Sequence, residues 1–381
     1  MSLPSLHQCM QALIAAPSVS SVNAHWDMGN GEVVELLSNW LPDLGFKVET
    51  LEIPGCPDKY NLVASLGQGP GGLVLSGHTD TVPYDEGCWT GDPFTLTERD
   101  QRLYGLGTSD MKGFFAVVIE ALRDFDLSQL KQPLLILATA DEESTMCGAK
   151  ALHEARVPLG RHAVIGEPTG LRPVRMHKGI AMEAVTVTGR SGHSSDPSLG
   201  ANALEGMHEV IGEILAWRGE LQASHHNARF KVPVPTLNLG HIHGGDNPNR
   251  ICPECELHFD IRPLPGMGLE QLRADLRGRL ERRLEDTGLA MEMKSLFGGV
   301  PAMETPATAA IVKACEELTG HASEAVAFAT EGPYLNDMGM ETVILGPGDI
   351  DQAHQPDEYL ALDRIPPAIE IIRSLVRQFC L

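Results

Sequence analysis

Apolar and polar positions follow two rhythms along this chain, one near 3.6 residues and one of short unbroken apolar runs. Residues 5–15 and about 30–45 carry the first, the latter through Val33, Val34, Leu36, Leu37, Trp40, Leu41 and Leu44, and both predict helices. Pro42 weakens the last turn of the second helix and Gly45 ends it. Residues 47–53 and 60–66 read as strands joined through Pro54-Gly55 and Pro57-Asp58. Four apolar runs follow, at 73–76, 133–140, 163–166 and 342–345. Runs of this length bounded by turn residues read as buried strands. Phe114, Phe115, Val117, Val118 and Leu122 give an amphipathic stripe after Met111, and a last helix is expected near 368–379. Strands alternating with helices predict an α/β fold with a mostly parallel sheet covered on both faces.

The middle of the chain changes texture. Strands are expected at 180–188, 236–242, 251–261 and 290–296, with helices at 199–221 and 269–284. The order β-α-β-β-α-β is that of a ferredoxin-like α+β unit. Residues 178–297 are therefore expected to form a domain inserted into a discontinuous one made of 1–177 and 298–381, with 173–178 as a hinge.

Composition narrows the function. A net charge of −22 over 381 residues argues against nucleic acid and against anionic membrane surfaces. No run approaches the roughly 20 apolar residues of a membrane span. The start Met1-Ser2-Leu3-Pro4 lacks a basic region followed by an apolar stretch, so a cytoplasmic protein is expected. Its eight cysteines show no framework spacing, and they are expected as reduced thiols. Cys252-Pro253-Glu254-Cys255 has no second pair to complete a zinc site.

Each apolar run ends in chemistry. The first delivers His78 and Asp80, the second Asp141-Glu142-Glu143, the third Glu167, and the fourth is followed by His354. Asp110 stands in the Gly-rich stretch Gly107-Thr108-Ser109-Asp110-Met111-Lys112-Gly113. In a parallel sheet these C-terminal ends share one edge, where such sheets bind ligands. Two His and three carboxylates suit two metal ions sharing one carboxylate, with Asp110 placed to bridge. Zinc is the expected metal, as one or two ions, with cobalt or manganese chemically allowed in its place. Asp80, two residues beyond His78, is a candidate to orient its imidazole. Glu142 and Glu143 cannot point the same way from an extended segment, so one can bind metal while the other serves as general base. In the middle region His193, Asn249 and Arg262 lie in or beside polar turns, and such groups suit an oxyanion and a substrate carboxylate.

These motifs resemble the di-zinc aminoacylase, succinyl-diaminopimelate desuccinylase and glutamate carboxypeptidase family. The likeness rests on Ser76-Gly77-His78-Thr79-Asp80-Thr81-Val82-Pro83, on the Asp110 stretch, on Asp141-Glu142-Glu143, on Gly166-Glu167-Pro168 and on Ala353-His354-Gln355-Pro356-Asp357-Glu358. It implies that His78 and Glu167 bind one metal, Glu143 and His354 the other, and that Asp110 bridges. It implies Asp80 as orienting acid, Glu142 as general base, His193 at the oxyanion, and Asn249 and Arg262 on the substrate. It further implies a lid or dimerisation role for residues 178–297, and hence a homodimer. The implied reaction is removal of the acetyl group from an Nα-acetylated amino acid of arginine biosynthesis, with N-acetylcitrulline expected ahead of N-acetylornithine. A dipeptidase or carboxypeptidase of the same fold, and a metal-binding protein without catalysis, are the alternatives. Glu331 is the late acid that either selects a cationic side chain or caps the helix beginning near Gly332.

Overall fold

The computed structural model describes residues 3–381. The chain folds into two compact units, one holding residues up to Arg175 with Thr305–Glu324 and Thr330–Leu381, the other Met176–Glu304 with Ala325–Ala329. The second unit thus takes in residues beyond 178–297. Ala325–Ala329 joins it where the Lys178 N–H donates to the Val326 carbonyl.

In the first unit the strands lie in the order Lys47–Glu52, Tyr60–Leu66, Leu134–Thr139, Leu73–His78, His162–Pro168, Glu341–Gly346. The last four are mutually parallel, and the first two add antiparallel at one side. The strands Leu73–His78, Leu134–Thr139 and His162–Pro168 are buried at every position, which is why they read as unbroken apolar runs. Successive side chains point to opposite faces. Leu73 and Leu75 join a core with Phe114, Phe115 and Ile372 from the helices Lys112–Leu122 and Ile365–Cys380. Ser76 faces the other way, toward Glu331 at the start of the helix Gly332–Asp337. The predicted helix at 30–45 is an α-helix, Gly31–Trp40, that tightens into a 3₁₀ turn, Leu41–Leu44, at Pro42. Gly45 closes it at φ +90°, where glycine carries no steric penalty.

The second unit is a four-stranded antiparallel sheet in the order Thr236–Gly244, Glu254–Arg262, Ile180–Thr188, Ala290–Val300. Cys255, Leu257, Phe259 and Ile261 alternate into a core with Trp217 and Ile214 of the helix Ala203–Ser224 and with Leu276 and Leu280 of Leu269–Arg283. Several expected boundaries move. The first helix begins at Ala203, not 199, because Pro197–Leu199 forms a 3₁₀ turn and the Asn202 side chain caps the Leu204 N–H. The strand expected from 251 begins at Glu254, because Pro253 has no N–H to give. The last strand continues past 296 to Val300 through two register shifts. Among the described residues no helix is long and apolar enough to cross a membrane.

Candidate metal centre

His78 ends its strand with its side chain 1% exposed. The parallel register sets His78 level with Thr139 and Ser76 level with Ile165. Glu142 and Glu143 therefore follow closely on one side, and Glu167 lies level with His78 on the other. Asp110 arrives from the loop before the helix Lys112–Leu122. Gly113 lets that loop close, since a Cβ there would sit 2.3 Å from the Thr108 carbonyl oxygen.

The side chains converge. His78 Nε2 lies 3.1 Å from Asp110 Oδ1 and 3.7 Å from Glu167 Oε1. His354 Nε2 lies 3.1 Å from Glu143 Oε2 and 3.5 Å from Asp110 Oδ2. The two oxygens of Asp110 thus face two different imidazoles. His354 reaches this position at φ +60°, a conformation uncommon outside glycine. Ligand atoms of His78, Asp110 and Glu143, and of His78, Glu142 and Glu167, fall within 4.8 Å of one another.

The electrostatics say what belongs here. Burial pushes the carboxyls of Glu142 and Glu167 well above the ordinary range and raises that of Glu143. Burial alone would lower His78, yet Glu167, Asp110 and Asp80 hold it well above its usual value. Burial likewise opposes ionisation of Asp110, but the hydrogen bond and charge of His78 bring it below its usual value. The Glu143 hydrogen bond raises His354 to about 9. Crowded carboxylates in a buried site repel and are poorly solvated unless a cation joins them. Glu142 Oε1 and Glu167 Oε1 are buried without a hydrogen-bond partner. Two imidazoles and four carboxylates, two of which keep an unpartnered oxygen, fit divalent ions of the zinc class.

The Asp80 carboxylate stands beside His78 and also organises the turn that carries Glu142 and Glu143. The His78 Nδ1 hydrogen bond, 3.0 Å, goes to the Asp80 backbone carbonyl, while Asp80 Oδ1 stands 3.7 Å away. The Asp80 carboxylate accepts the backbone N–H groups of Glu142 and Glu143 at 3.2 and 3.1 Å. Asp141, at φ +57°, turns the chain so that both face Asp80. Its carboxylate is held by Lys59 Nζ at 2.6 Å and Ser20 Oγ at 3.0 Å.

Sequence reasoning gave no role to Glu358, although it stands in the His354 motif. Its carboxylate is buried and accepts the N–H groups of Gly107, Ser109 and Asp110 at 3.1, 2.7 and 3.0 Å. Burial pushes it up to about 8. Glu331 does not cap its helix through its side chain. It is 1% exposed, and the hydroxyls of Ser76 and Thr139 donate to its two oxygens at 2.5 and 2.7 Å.

In the second unit His193 and Asn249 are brought together. The Ser194 N–H donates to the Asn249 carbonyl at 3.1 Å, and His193 bridges Arg250. Both residues are exposed, and His193 Nδ1 takes up the Ser195 hydroxyl at 2.7 Å. Arg262 is not with them. Its guanidinium is bound by Asp260 at 2.9 Å, at the far end of the strand Glu254–Arg262. His193 and Asn249 lie beyond the Glu254 end, where Gly189 and Ile251 pair with Pro253 and Gly192. Eight residue steps of strand separate the two ends, about 27 Å.

Comparison with known proteins finds both related sequences and related folds. The profile described as Peptidase family M20/M25/M40 matches residues 74–378. The acetylornithine deacetylase of Pasteurella multocida (strain Pm70) is 50% identical over 378 residues, 99% of each chain. That of Edwardsiella ictaluri (strain 93-146) is 50% identical over 378 residues, covering 99% of this chain and 98% of its own. The M20 family metallo-carboxypeptidase Sso-CP2 from Sulfolobus solfataricus shares the fold with a TM-score of 0.75 at 17% identity, covering 98% of this chain and 99% of that one. A tripeptidase from Staphylococcus aureus gives a TM-score of 0.74 at 21% identity, with 98% of both chains covered.

Proposed function

This chain belongs to peptidase family M20/M25/M40 and is a metal-dependent hydrolase, and we propose that it removes the acetyl group from an Nα-acetylated amino acid, N-acetylornithine first, with Zn2+ as its metal. The observation that carries the chemistry is Glu142, whose Oε1 is buried, unpartnered and beside the ligand cluster. His78, Asp110 and Glu167 would hold one ion, and Glu143, His354 and the second oxygen of Asp110 the other; Co2+ suits the same donors. An ion bound there supplies a Lewis acid for the amide carbonyl and lowers the pKa of the attacking water. Glu142 takes a proton from that water as its oxygen bonds to the carbonyl carbon, and returns the proton to the amine nitrogen as the amide C–N bond breaks, giving acetate and the amine. Asp80 fixes the turn, so that base and ligand keep their spacing.

His193, Asn249 and Arg262 supply the oxyanion and carboxylate contacts in this reading. The length of the strand between them prevents one small substrate from touching all three in one chain, so the reading includes a homodimer in which His193 and Asn249 serve the partner's site. The names of the two relatives support acetylornithine. They lend nothing to the expectation of acetylcitrulline. One observation still favours that second substrate: the carboxylate of Glu331 is already bound by Ser76 and Thr139, which leaves it a poor partner for a cation. The deciding measurement is kcat/KM for the two acetylated amino acids, in wild type and Glu331→Gln. A wild-type preference for acetylornithine of about tenfold, ~1.4 kcal/mol, is expected. Equal or reversed values would overturn the ornithine reading and leave the deacetylase intact.

A further inference from the structure

The sheet of the second unit buries one face under its two helices. On its other face the strand Glu254–Arg262 presents Glu256 and His258, two residues apart and so on one side. The neighbouring strand Thr236–Gly244 sets His241 directly opposite His258, and His243 opposite Glu256. A register shift between Leu239 and His241 brings this about, because it moves the imidazole into line with its partner. The rings of His241 and His258 stand 4.8 Å apart, tilted by 39°. His258 Nε2 and Glu256 Oε1 are 2.7 Å apart. The Thr186 hydroxyl, from the strand on the other side, donates to Glu256 Oε2 at 3.3 Å, so Oε1 is left to face the imidazoles.

We propose that His241, Glu256 and His258 form a second, separate metal site, taking a borderline transition-metal ion such as Zn2+, Ni2+ or Cu2+. Ligand atoms of the three residues lie within 4.8 Å of one another. Tetrahedral zinc, with bonds of about 2.0–2.2 Å, holds its ligand atoms roughly 3.4 Å apart. Closing that gap needs only side-chain rotation in residues that are exposed or half-buried. Two imidazoles and one carboxylate disfavour magnesium and calcium, which ask for oxygen ligands. Three protein ligands leave a fourth position to water or to His243, the next residue along on the same face. The donors sit on a hydrogen-bonded ladder, so little backbone has to be ordered on binding. None of the three belongs to the site of the first unit, and the proposal does not depend on which amide that site cleaves.

The test is equilibrium dialysis of the untagged full chain against Zn2+ alone, for wild type and for the His241→Gln, His258→Gln double variant, with turnover measured on the same samples. Wild type is expected to bind one equivalent more than the variant at the same free Zn2+, with equal turnover. Glu256→Gln is expected to keep the stoichiometry but weaken that equivalent about tenfold, ~1.4 kcal/mol. Equal stoichiometry in wild type and the double variant would overturn the proposal. So would loss of the equivalent together with turnover, because the ion would then belong to the first cluster. Should the double variant fail to fold, Glu256→Gln decides alone, and an unchanged affinity counts against the site.

Discussion

Glu142 and Glu143 carry the same side chain on neighbouring residues, and the turn that holds them gives each a different task. Glu143 is spent on His354, while Glu142 keeps an unpartnered oxygen. Replacing Glu142 by Gln leaves the ligand set whole and removes the proton carrier. The variant is expected to retain its metal content and lose roughly 10²–10⁴-fold in kcat. Metal analysis beside single-substrate kinetics checks this, and a Gln variant with wild-type turnover would put the base elsewhere. His78 and Glu167 stood out in the chain because each follows a glycine at the end of an apolar run, and Asp141-Glu142-Glu143 because an apolar run feeds it; Asp110 and His354 were marked only by their surrounding motifs. What Asp80 and Glu331 touch was not readable. Adjacency placed Asp80 beside His78, where its carboxylate stands 3.7 Å from Nδ1, but did not show that the Asp80 backbone carbonyl takes the Nδ1 hydrogen bond or that the carboxylate holds the next turn. Helix position suggested a cap at Glu331, whereas two hydroxyls from neighbouring strands take its oxygens. Both depend on directions that the linear order does not carry.

At the scale of elements, the loop that carries Asp110 has no regular structure of its own and is shaped from outside. Glu358, nearly 250 residues later in the chain, satisfies three of its backbone N–H groups. Glu358→Ala would strand those groups, and buried donors without partners cost about 1–3 kcal/mol each. It is expected to weaken metal binding by about 10–100-fold, with Glu358→Gln milder because one oxygen still accepts. Equilibrium dialysis reads both, and an unchanged affinity in the Ala variant would show that the loop holds itself. The parallel strands were legible because burial on both faces leaves no polar residue to interrupt them. The start of the helix Ala203–Ser224 was not, because apolar Leu199 extends the helical rhythm while Pro197 sets a separate turn. Nothing in the local pattern of 353–358 shows that it reaches back to Asp110.

At the scale of the whole molecule, each chain carries His193 with Asn249 at one end of a strand and Arg262 at the other. In the proposed homodimer each active site draws on both chains. Chains bearing His193→Ala and chains bearing Arg262→Ala are each expected to be nearly inactive alone. Mixed in equal amounts and allowed to exchange, they are expected to recover roughly a quarter of wild-type activity, since random two-fold pairing makes half the dimers hybrid with one intact site each. No recovery on confirmed exchange would mean that each chain serves itself. In the proposed homodimer, by contrast, the strand Glu254–Arg262 would act as a gauge between two reaction centres. Its face pattern tolerates a change of length by two residues, because alternation restores every side chain to its side. Its function would not, because two residues shift one end by about 7 Å against the other. In that homodimer the same nine residues would be read twice, by parity for folding and by length for catalysis.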